Sequence, residues 1–525
     1  MNSSTLSARF TSSWPLLAVF LIAVVWLYRT PYSASNLTIA PDMVEYALAP
    51  LQLVETGHYE IIVDGRGLPS RYPPWFSVLV IAPAYVLFGH DPGNAILPIT
   101  LLAGAGIGFA YAIGKRISSI TGGAFAALTL LFFPSYNRWA IEVMTDVPCT
   151  TLMLGTCLVY LRLRTRPESA LTYLGAGTLV ALTTLFRPVY AAMLLPFLLA
   201  VVRPRSGIAV RTISLLAPMA AAAAATCAYN ATTFGSPFLN GYKFWVPVPP
   251  DYPLLSLSYL QVNLSVVFVM GFPILILVFI AALLLARTFK SLAYSTSREA
   301  FRDVLLFFVL STTPILFFHL VYFFPDDRFF LPVLAGLAVL AGSVLALVIG
   351  PGREAILKVL LPVLLLLTIG ARIAFPSPLP ERRLAADRVR QHTPDNAVVI
   401  SGIDPVYLAR LAGKGSARRI IPISRNVEFA WVLLGTKRVE DPRVPLTKKR
   451  DIPPVLESLR PQAEEAVRFV ASERLDELAV GIARGTPVFL EASSIAGQDA
   501  AVLSQLQQRF KFVNRAPYLH ELRLP

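Results

Sequence analysis

The stretch "WPLLAVFLIAVVWLY", residues 14–28, decides the fold class of this chain. It is an apolar run without a small-residue cleavage site, so it predicts a retained membrane-spanning helix and not a signal peptide. Similar runs recur up to about residue 375. Of the 525 residues, 55% are hydrophobic and 15% are charged, and the mean hydropathy is +0.61. This composition excludes an ordinary soluble protein and predicts an all-α polytopic membrane protein.

The lysine and arginine residues are dispersed between the apolar runs, and their positions indicate membrane orientation. The formal net charge is +14, but the cations form no single basic face, so nucleic acid is excluded as a partner. Basic loops stay on the cytoplasmic side of a membrane. With the amino terminus inside, the basic clusters fall at the inner ends of about eleven predicted spans. These spans are residues 14–28, 95–114, 118–137, 147–161, 170–186, 188–202, 208–229, 260–286, 303–324, 329–349 and 355–374.

One apolar segment, residues 73–89, is left out of that count. It is short and contains three prolines. Counting it as a crossing would export the basic clusters that follow and would place Asp42 and Asp146 on opposite sides of the membrane. We therefore predict a juxtamembrane or re-entrant helix here, with Trp75 and Tyr85 suited to the membrane interface.

The sequence changes in character after about residue 375, where it becomes rich in charge. "NAVVISGIDPVYLARLAGKGSARRIIPIS" predicts a strand, a helix and a strand, and residues 485–525 repeat that order. We predict a multi-span domain over 1–375, with a long first outer loop at 29–94. A soluble α/β domain over 376–525 follows on the outer face (periplasmic or extracellular) of the plasma (inner) membrane.

Two carboxylates, Asp42 and Asp146, come from separate loops on the predicted outer face. Each has a plain structural interpretation as a helix cap or first-turn acid. The functional interpretation is a catalytic site that both acids reach from the same side of the membrane. Arg138, Glu142 and Asp146 are spaced by four residues and would share one side of a helix, although Pro148 favours a new helix beginning near Asp146.

Arginines on the predicted outer face run against the usual charge bias, which favours a function for them. Arg71 and Tyr72 precede two prolines, where they could meet an anionic lipid head group, although a snorkelling arginine is at least as common. An internal pair with a neighbouring aspartate, Asp326 or Asp327, is the plain interpretation of Arg328. Guanidinium groups match phosphate oxygens. The set predicted to hold a phosphate is Arg71, Arg138, Arg187 and Arg328.

The histidines and cysteines give weaker signals. His58 could join the acids as a metal ligand, but a single loop histidine is more often solvated. His319 lies in an apolar run and is interpreted as a hydrogen-bonded core residue. Cys149, Cys157 and Cys227 predict neither a disulfide framework nor a metal site.

Four short motifs together resemble the GT-C class of membrane glycosyltransferases, in the bacterial branch related to dolichyl-phosphate-mannose protein mannosyltransferases and to the lipid A aminoarabinose transferase. "PDMVEYALA" (41–49) is similar to the first-loop acidic motif of that class. "RYPPWFSVLVIAPAYVLFG" (71–89) is similar to its Pro-Pro juxtamembrane helix. "RWAIEVMTDVPCTTL" (138–152) is similar to its second-loop acid motif, and "DDRFFLPVLAGLAVLAG" (326–342) to its Arg-aromatic-Leu-Pro turn.

The resemblance implies transfer of a sugar from a polyprenyl-phosphate carrier to a hydroxyl of a lipid, glycan or protein acceptor at the outer face, with inversion. Asp42 would be the general base, and Asp146, the second catalytic carboxylate, would orient the acceptor, a cation or one of the arginines. The residues expected to bind substrate are Glu45, Arg71, Tyr72, Arg138, Glu142, Arg187 and Arg328. Part of the class binds a metal ion, so the resemblance leaves a divalent cation open as a cofactor and assigns no metal ligands here.

Two other functions stay open from the sequence. A transporter or lipid flippase would place charges near the middle of the membrane, often in repeated halves, and neither feature stands out here. A non-catalytic relative is the other alternative, because Met43 and Arg71 stand where members of the class often have acids.

Overall fold

The computed structural model describes residues 16–27, 41–63, 66–165, 169–202, 207–242, 255–288, 296–349, 381–401, 418–422, 472–493 and 500–525. The chain folds into two compact units. The first covers 1–33, 96–229 and 253–377, and the second covers 34–95, 230–252 and 378–525. The predicted division of the chain near residue 375 stays a prediction.

The first unit is a bundle of apolar helices. They are α1 (Leu16–Leu27), α4 (Ile96–Ile117), α5 (Ile120–Leu131), α6 (Pro134–Trp139), α7 (Asp146–Thr165), α8 (Ala170–Phe186), α9 (Leu194–Val201), α10 (Ile208–Phe234, which ends in the second unit), α11 (Leu260–Thr288), α12 (Thr296–Leu320) and α13 (Leu331–Ile349). Short 3₁₀ turns precede α4, α9, α11 and α13. Every predicted span that falls on described residues is largely helical there, and 355–374 lies outside them.

Five of the described helical segments are long and apolar enough to cross a membrane: Pro92–Ile117, Ile208–Phe234, Leu257–Leu283, Arg298–Leu320 and Asp327–Ala346. The chain is therefore an integral membrane protein. The predicted count of eleven spans is not confirmed, because the apolar helices α1, α5 and α8 are shorter. On α10 and α11, large apolar side chains such as Ile213, Phe268 and Phe279 are exposed, as expected for helices that face lipid.

Small residues bring helices of the bundle into close contact. α4 packs against α5, and α8 packs near α10. A side chain at Gly114 would meet the carbonyl oxygen of Gly122 at 2.5 Å, and one at Gly177 would overlap the carbonyl oxygen of Leu215. Glycine at these two positions allows the close backbone approach that membrane helices use.

Replacing Gly177 by alanine is therefore expected to lower the free energy of unfolding by about 1–3 kcal/mol, because the methyl group would force α8 and α10 apart. Gly175 lies on the same helix, and a side chain there would meet nothing within 4 Å. Gly175→Ala is the matched control and should be neutral or slightly stabilising. Thermal unfolding of both variants in detergent measures the difference, and equal melting temperatures would contradict the close contact.

The amino-terminal part of the second unit contains α2 (Pro41–Thr56), a hairpin of β1 (Glu60–Val63) and β2 (Arg66–Pro69), and α3 (Pro74–Phe88). α3 packs against α2, and the Tyr85 hydroxyl donates to the Ala47 carbonyl at 2.8 Å. Its other face exposes Leu87 and Phe88. α3 is too short to count among the membrane-crossing segments, so the interpretation of 73–89 as a juxtamembrane helix stays a prediction that this exposed apolar face favours.

The carboxyl-terminal part of the second unit contains a five-stranded sheet. Its strands are β3 (Val398–Ser401), β4 (Arg419–Pro422), β5 (Val488–Glu491), β6 (Lys511–Ala516) and β7 (Leu519–Arg523), in the order β4-β3-β5-β7-β6. β3 is parallel to β4 and β5, and β7 is antiparallel to β5 and β6. The described helices here are α14 (Glu381–His392), α15 (Ser472–Ala483) and α16 (Ala500–Arg509). β3, β4, β5 and α16 match predicted strands and a predicted helix, while a separate soluble domain on the outer face stays a prediction.

The predicted last strand is wrong in one respect, because residues 511–523 form a hairpin of two strands. Ala516 pairs with Leu519, which leaves Pro517 and Tyr518 as a two-residue turn. Proline fixes the first turn position, and Tyr518 has a φ of 62°, which reverses the chain. The helix predicted between β3 and β4 lies outside the described residues.

Candidate functional site

The predicted site residues form two clusters, one in each unit. The first, here called the first-loop cluster, consists of Asp42, Glu45, Ser70, Arg71 and Tyr72. Asp42 lies in the first turn of α2 and Glu45 lies one turn later, so both carboxylates project from neighbouring positions on that helix. The other three residues follow β2 and precede α3.

Glu45 is buried and binds the chain segment that carries Arg71. Its Oε1 accepts from Arg71 Nε at 2.6 Å, and its Oε2 accepts from the Arg71 backbone N–H at 2.7 Å and the Ser70 hydroxyl at 3.0 Å. Three donors thus satisfy this buried charge. The sequence predicted Glu45 as a substrate-binding residue. In the structure its carboxylate binds Arg71.

Arg71 joins the two acids of the cluster. Its Nη2 lies 3.3 Å from Asp42 Oδ1, and its side chain is 8% exposed, against 24% for Asp42 and 9% for Glu45. Burial lowers the pKa of Arg71, but the charges of Glu45 and Asp42 outweigh burial, and the pKa lies above its ordinary value. Arg71 is a permanently charged group that orients the more accessible carboxylate.

Tyr72 completes the cluster as a buried aromatic residue. Its ring stacks on Tyr46 with centroids 4.2 Å apart and meets Tyr242 edge-on at 5.5 Å. Burial raises the pKa of its hydroxyl well above the ordinary value, so this group stays protonated at physiological pH.

Replacing Arg71 by lysine is expected to lower the sugar-transfer activity that the sequence resemblance implies about tenfold, and the free energy of unfolding by about 1–3 kcal/mol. One ammonium group cannot contact both carboxylates through separate nitrogens as a guanidinium does. Kinetics and thermal unfolding in detergent measure the two effects. Glu45→Gln, which keeps the shape of its partner, is the companion variant and should also lower activity. Wild-type activity in both variants would show that Arg71 does not orient Asp42 for the reaction.

The second group, here called the second-loop cluster, consists of Trp139, Asp146, Arg187, Arg328 and Phe329, all in the first unit. Asp146 is the first residue of α7 and is fully buried. Its Oδ1 forms an ion pair with Arg187, which lies between α8 and the following 3₁₀ turn. The interpretation as a first-turn acid and the ion-pair role therefore coincide at this residue.

Aromatic rings surround the cations of this cluster. The guanidinium of Arg187 lies 4.8 Å from the Phe329 ring centre, and that of Arg328 lies 5.0 Å from Phe329 and 5.5 Å from Trp139. Arg138 lies 5.0 Å from the Trp139 ring. Each contact is a cation–π interaction, which favours charge in a partly desolvated place.

The "DDR" turn fixes Arg328 and Trp139. Asp326 accepts from the Arg328 backbone N–H at 3.2 Å and pairs with its Nε at 3.2 Å. Asp327 accepts from Trp139 Nε1 at 3.0 Å. Burial raises the pKa of Asp326, although Arg328 acts in the opposite direction. The internal Asp–Arg pair considered from the sequence is therefore present.

One local prediction is wrong. Arg138, Glu142 and Asp146 do not share one helix face, because α6 ends at Trp139 and α7 begins at Asp146. Residues 140–145 are turns between the two helices, and half-buried Glu142 lies within them. The new helix near Asp146 that Pro148 favours is present.

Three residues were missed as members of a site, namely Trp139, Asp327 and Phe329. His319, assigned to the core, also contacts the second-loop cluster through a stack on Phe329 with centroids 4.6 Å apart. The signal for the missed residues was the aromatic content of "RWA" and "DDRFF" beside charged residues. His58 is exposed. Among the described residues, no group of three or more His, Cys, Asp or Glu side chains could hold a metal ion.

The two clusters belong to different units, so the predicted convergence of Asp42 and Asp146 on one reaction centre stays a prediction. Each cluster offers chemistry of its own kind. The first presents an oriented, partly exposed carboxylate, and the second presents arginines held by acids and aromatic rings. A carboxylate of the first kind can accept a proton, and cations of the second kind can bind an anion.

Comparison with known families gives one match. The family model for dolichyl-phosphate-mannose-protein mannosyltransferases matches residues 72–229. That range includes Tyr72, Arg138, Glu142, Asp146 and Arg187. No curated protein sequence matches the chain.

Comparison with solved structures gives full-length similarity. The crystal structure of ArnT from Cupriavidus metallidurans in the apo state has a TM-score of 0.56 at 14% identity, covering 98% of each chain. The same protein bound to undecaprenyl phosphate has a TM-score of 0.54 at 14% identity, covering 97% of this chain and 98% of that one. The oligosaccharyltransferase of Archaeoglobus fulgidus in the apo form, at 13% identity, covers 96% of this chain and 73% of that one. Its TM-score of 0.47 is too low to establish a common fold.

Proposed function

We propose that this chain, whose resemblance to the GT-C class of membrane glycosyltransferases is confirmed by these comparisons, transfers a sugar from a polyprenyl-phosphate donor to an acceptor hydroxyl. The match to the mannosyltransferase family model and the ArnT-like fold support a glycosyltransferase that uses a lipid-linked donor. We further propose that transfer takes place at the outer face of the plasma membrane, with inversion at the anomeric carbon.

The observation that carries the proposal is the arrangement around Asp42. A base needs an accessible oxygen and a fixed orientation. Asp42 is 24% exposed, and Arg71 contacts it at 3.3 Å while Glu45 holds Arg71 in place. Asp42 is therefore suited to take a proton from a hydroxyl.

The proposed reaction has one covalent step. Asp42 accepts the proton of the acceptor hydroxyl as the hydroxyl oxygen attacks the anomeric carbon. The bond between that carbon and the phosphate oxygen breaks, and polyprenyl phosphate leaves as a monoester. The attack comes from the side opposite the leaving group, so the configuration inverts.

Fixed cations are needed because the leaving phosphate gains negative charge. We assign that role to Arg187, Arg328 and Arg138. A guanidinium has five N–H donors. The single Asp146 oxygen that pairs with Arg187 cannot occupy all of them. Asp146 then acts as a positioning residue for Arg187, and the aromatic rings of Trp139 and Phe329 keep the cations in place.

Cleavage of the donor lipid tests this function. Purified protein in vesicles is given a polyprenyl-phosphate sugar labelled in the sugar, together with membrane-extracted acceptors. We expect labelled sugar to appear on an acceptor and polyprenyl monophosphate to accumulate. Movement of intact donor across the vesicle membrane without cleavage would favour a flippase, and an unchanged donor would favour a non-catalytic relative.

A further inference from the structure

The parallel part of the tail sheet has a place where ligands commonly bind. β3 lies between β4, which follows it in sequence, and β5, which comes later. The next strand in sequence after β3 is β4, on one side of the β3–β5 pair, and the next strand after β5 is β6, on the other side. In such sheets, ligands bind beyond the carboxyl ends of the strands at the point where the strand order reverses. Here that point lies beyond Ser401 and Glu491, which pair with each other across β3 and β5.

A buried charged group occupies this edge of the sheet. Glu491 is fully buried, and Arg388 from α14 donates to its Oε1 at 3.1 Å. Ser493 accepts from Arg388 at 2.6 Å, and the hydroxyl of buried Ser401 lies 3.5 Å from the second Glu491 oxygen. A buried ion pair stabilises a fold weakly compared with apolar packing. The Ser493 backbone N–H and hydroxyl also donate to Glu491, so both Glu491 oxygens have partners and Arg388 is held in one position.

The turn between β6 and β7 adds an exposed aromatic ring. Tyr518 is the only non-glycine residue with positive φ in the described part of the chain, at 62°. Glycine is the ordinary residue at the second position of such a turn, and a tyrosine there is strained. The turn adjoins β5, since the Ala492 N–H donates to the Tyr518 carbonyl at 2.8 Å.

The exposure of the ring indicates what it can bind. Arg388 lies 5.6 Å from the ring centre, and the Tyr518 residue is 58% exposed. An aromatic face packs against the apolar C–H face of a sugar ring, and neighbouring polar groups can bond to its hydroxyls. The charge of Arg388 is balanced by Glu491, so a neutral polar ligand fits this edge better than an anion.

We propose that Tyr518, Arg388 and Ser493 form a carbohydrate-binding site, in which a neutral sugar ring stacks on Tyr518 at the carboxyl ends of β3 and β5, while the buried Glu491 positions Arg388. The site is separate from the residues assigned to sugar transfer. Its occupant is a saccharide chain of the cell envelope, recognised by ring stacking and hydroxyl contacts and not by charge.

The test measures binding of the full-length protein in detergent to an array of neutral oligosaccharides, without donor lipid, so the outcome does not depend on the transfer reaction. We expect the wild type to bind at least one saccharide class. Tyr518→Gly should weaken that binding about tenfold or more, because the ring is lost. Tyr518→Phe keeps the ring and should bind within about threefold of the wild type.

Thermal unfolding separates a binding role from a structural one. Glycine relieves the positive-φ strain, so Tyr518→Gly should melt at the same temperature as the wild type or higher. Three results would overturn the proposal. They are no saccharide binding by the wild type, undiminished binding by Tyr518→Gly, and a lower melting temperature that accompanies the loss of binding.

Discussion

Replacing Asp42 by asparagine is expected to lower the rate of sugar transfer by about 10²- to 10⁴-fold. Asparagine has nearly the same shape but cannot accept the acceptor proton, and general-base catalysis contributes a factor of this size. The rate is measured as labelled sugar transferred per minute by purified protein in vesicles. Binding of the donor lipid, measured separately, should change little, because the donor phosphate is assigned to the arginines of the second-loop cluster.

Asp42→Glu is the companion variant. It keeps the carboxylate but moves it by one methylene away from the 3.3 Å contact with Arg71. We expect activity between that of the wild type and that of Asp42→Asn, because the charge is kept and the orientation is lost. Transfer by Asp42→Asn at the wild-type rate would remove the base assignment.

Replacing Arg187 by methionine is expected to lower the free energy of unfolding by about 3–5 kcal/mol, because a fully buried Asp146 would lose its ionic partner. The double variant Asp146→Asn with Arg187→Met should recover most of this loss, since no buried charge is then left unpaired. Thermal and denaturant unfolding in detergent measure the four members of this cycle.

Arg302 provides a matched control for the Arg187 variant. Its side chain is 66% exposed and lies 3.8 Å from Asp303. Arg302→Met should change the stability by less than about 1 kcal/mol, as exposed pairs usually do. A double variant no more stable than Arg187→Met alone would show that Arg187 acts mainly through its contact with Phe329 and not through Asp146.

The membrane class and the helical runs follow directly from sequence, because a bilayer requires long apolar segments whatever their partners. Local breaks are harder to predict. Residues 138–146 keep a four-residue spacing that suits a helix, yet the chain turns over 140–145, where Trp139 bonds to Asp327 from a distant part of the sequence. The hairpin turn at 517–518 was not predicted because Tyr518 occupies the positive-φ position of the turn. Glycine is usual at that position and is the residue that normally indicates such a turn in a sequence.

The candidate site shows the same limit. Asp42 and Asp146 were selected by position in outer loops, and Arg187 by its place at a helix junction. The sequence could not predict that Arg71 holds Glu45 and Asp42, because those contacts bridge a hairpin and depend on how it folds back. Contacts between residues far apart in the sequence depend on tertiary packing. The spacing of residues along the chain gives no information about that packing.

A shared reaction centre requires the first outer loop (29–94) and the turn that precedes Asp146 to face the same compartment. Single cysteines at the exposed positions His58 and Arg138 report this directly, in a Cys227→Ser background, because Cys149 and Cys157 are buried. Intact cells are treated with a membrane-impermeant maleimide. We expect His58→Cys and Arg138→Cys both to be labelled from outside, and labelling of one only after the membrane is opened would contradict a common reaction centre for Asp42 and Asp146.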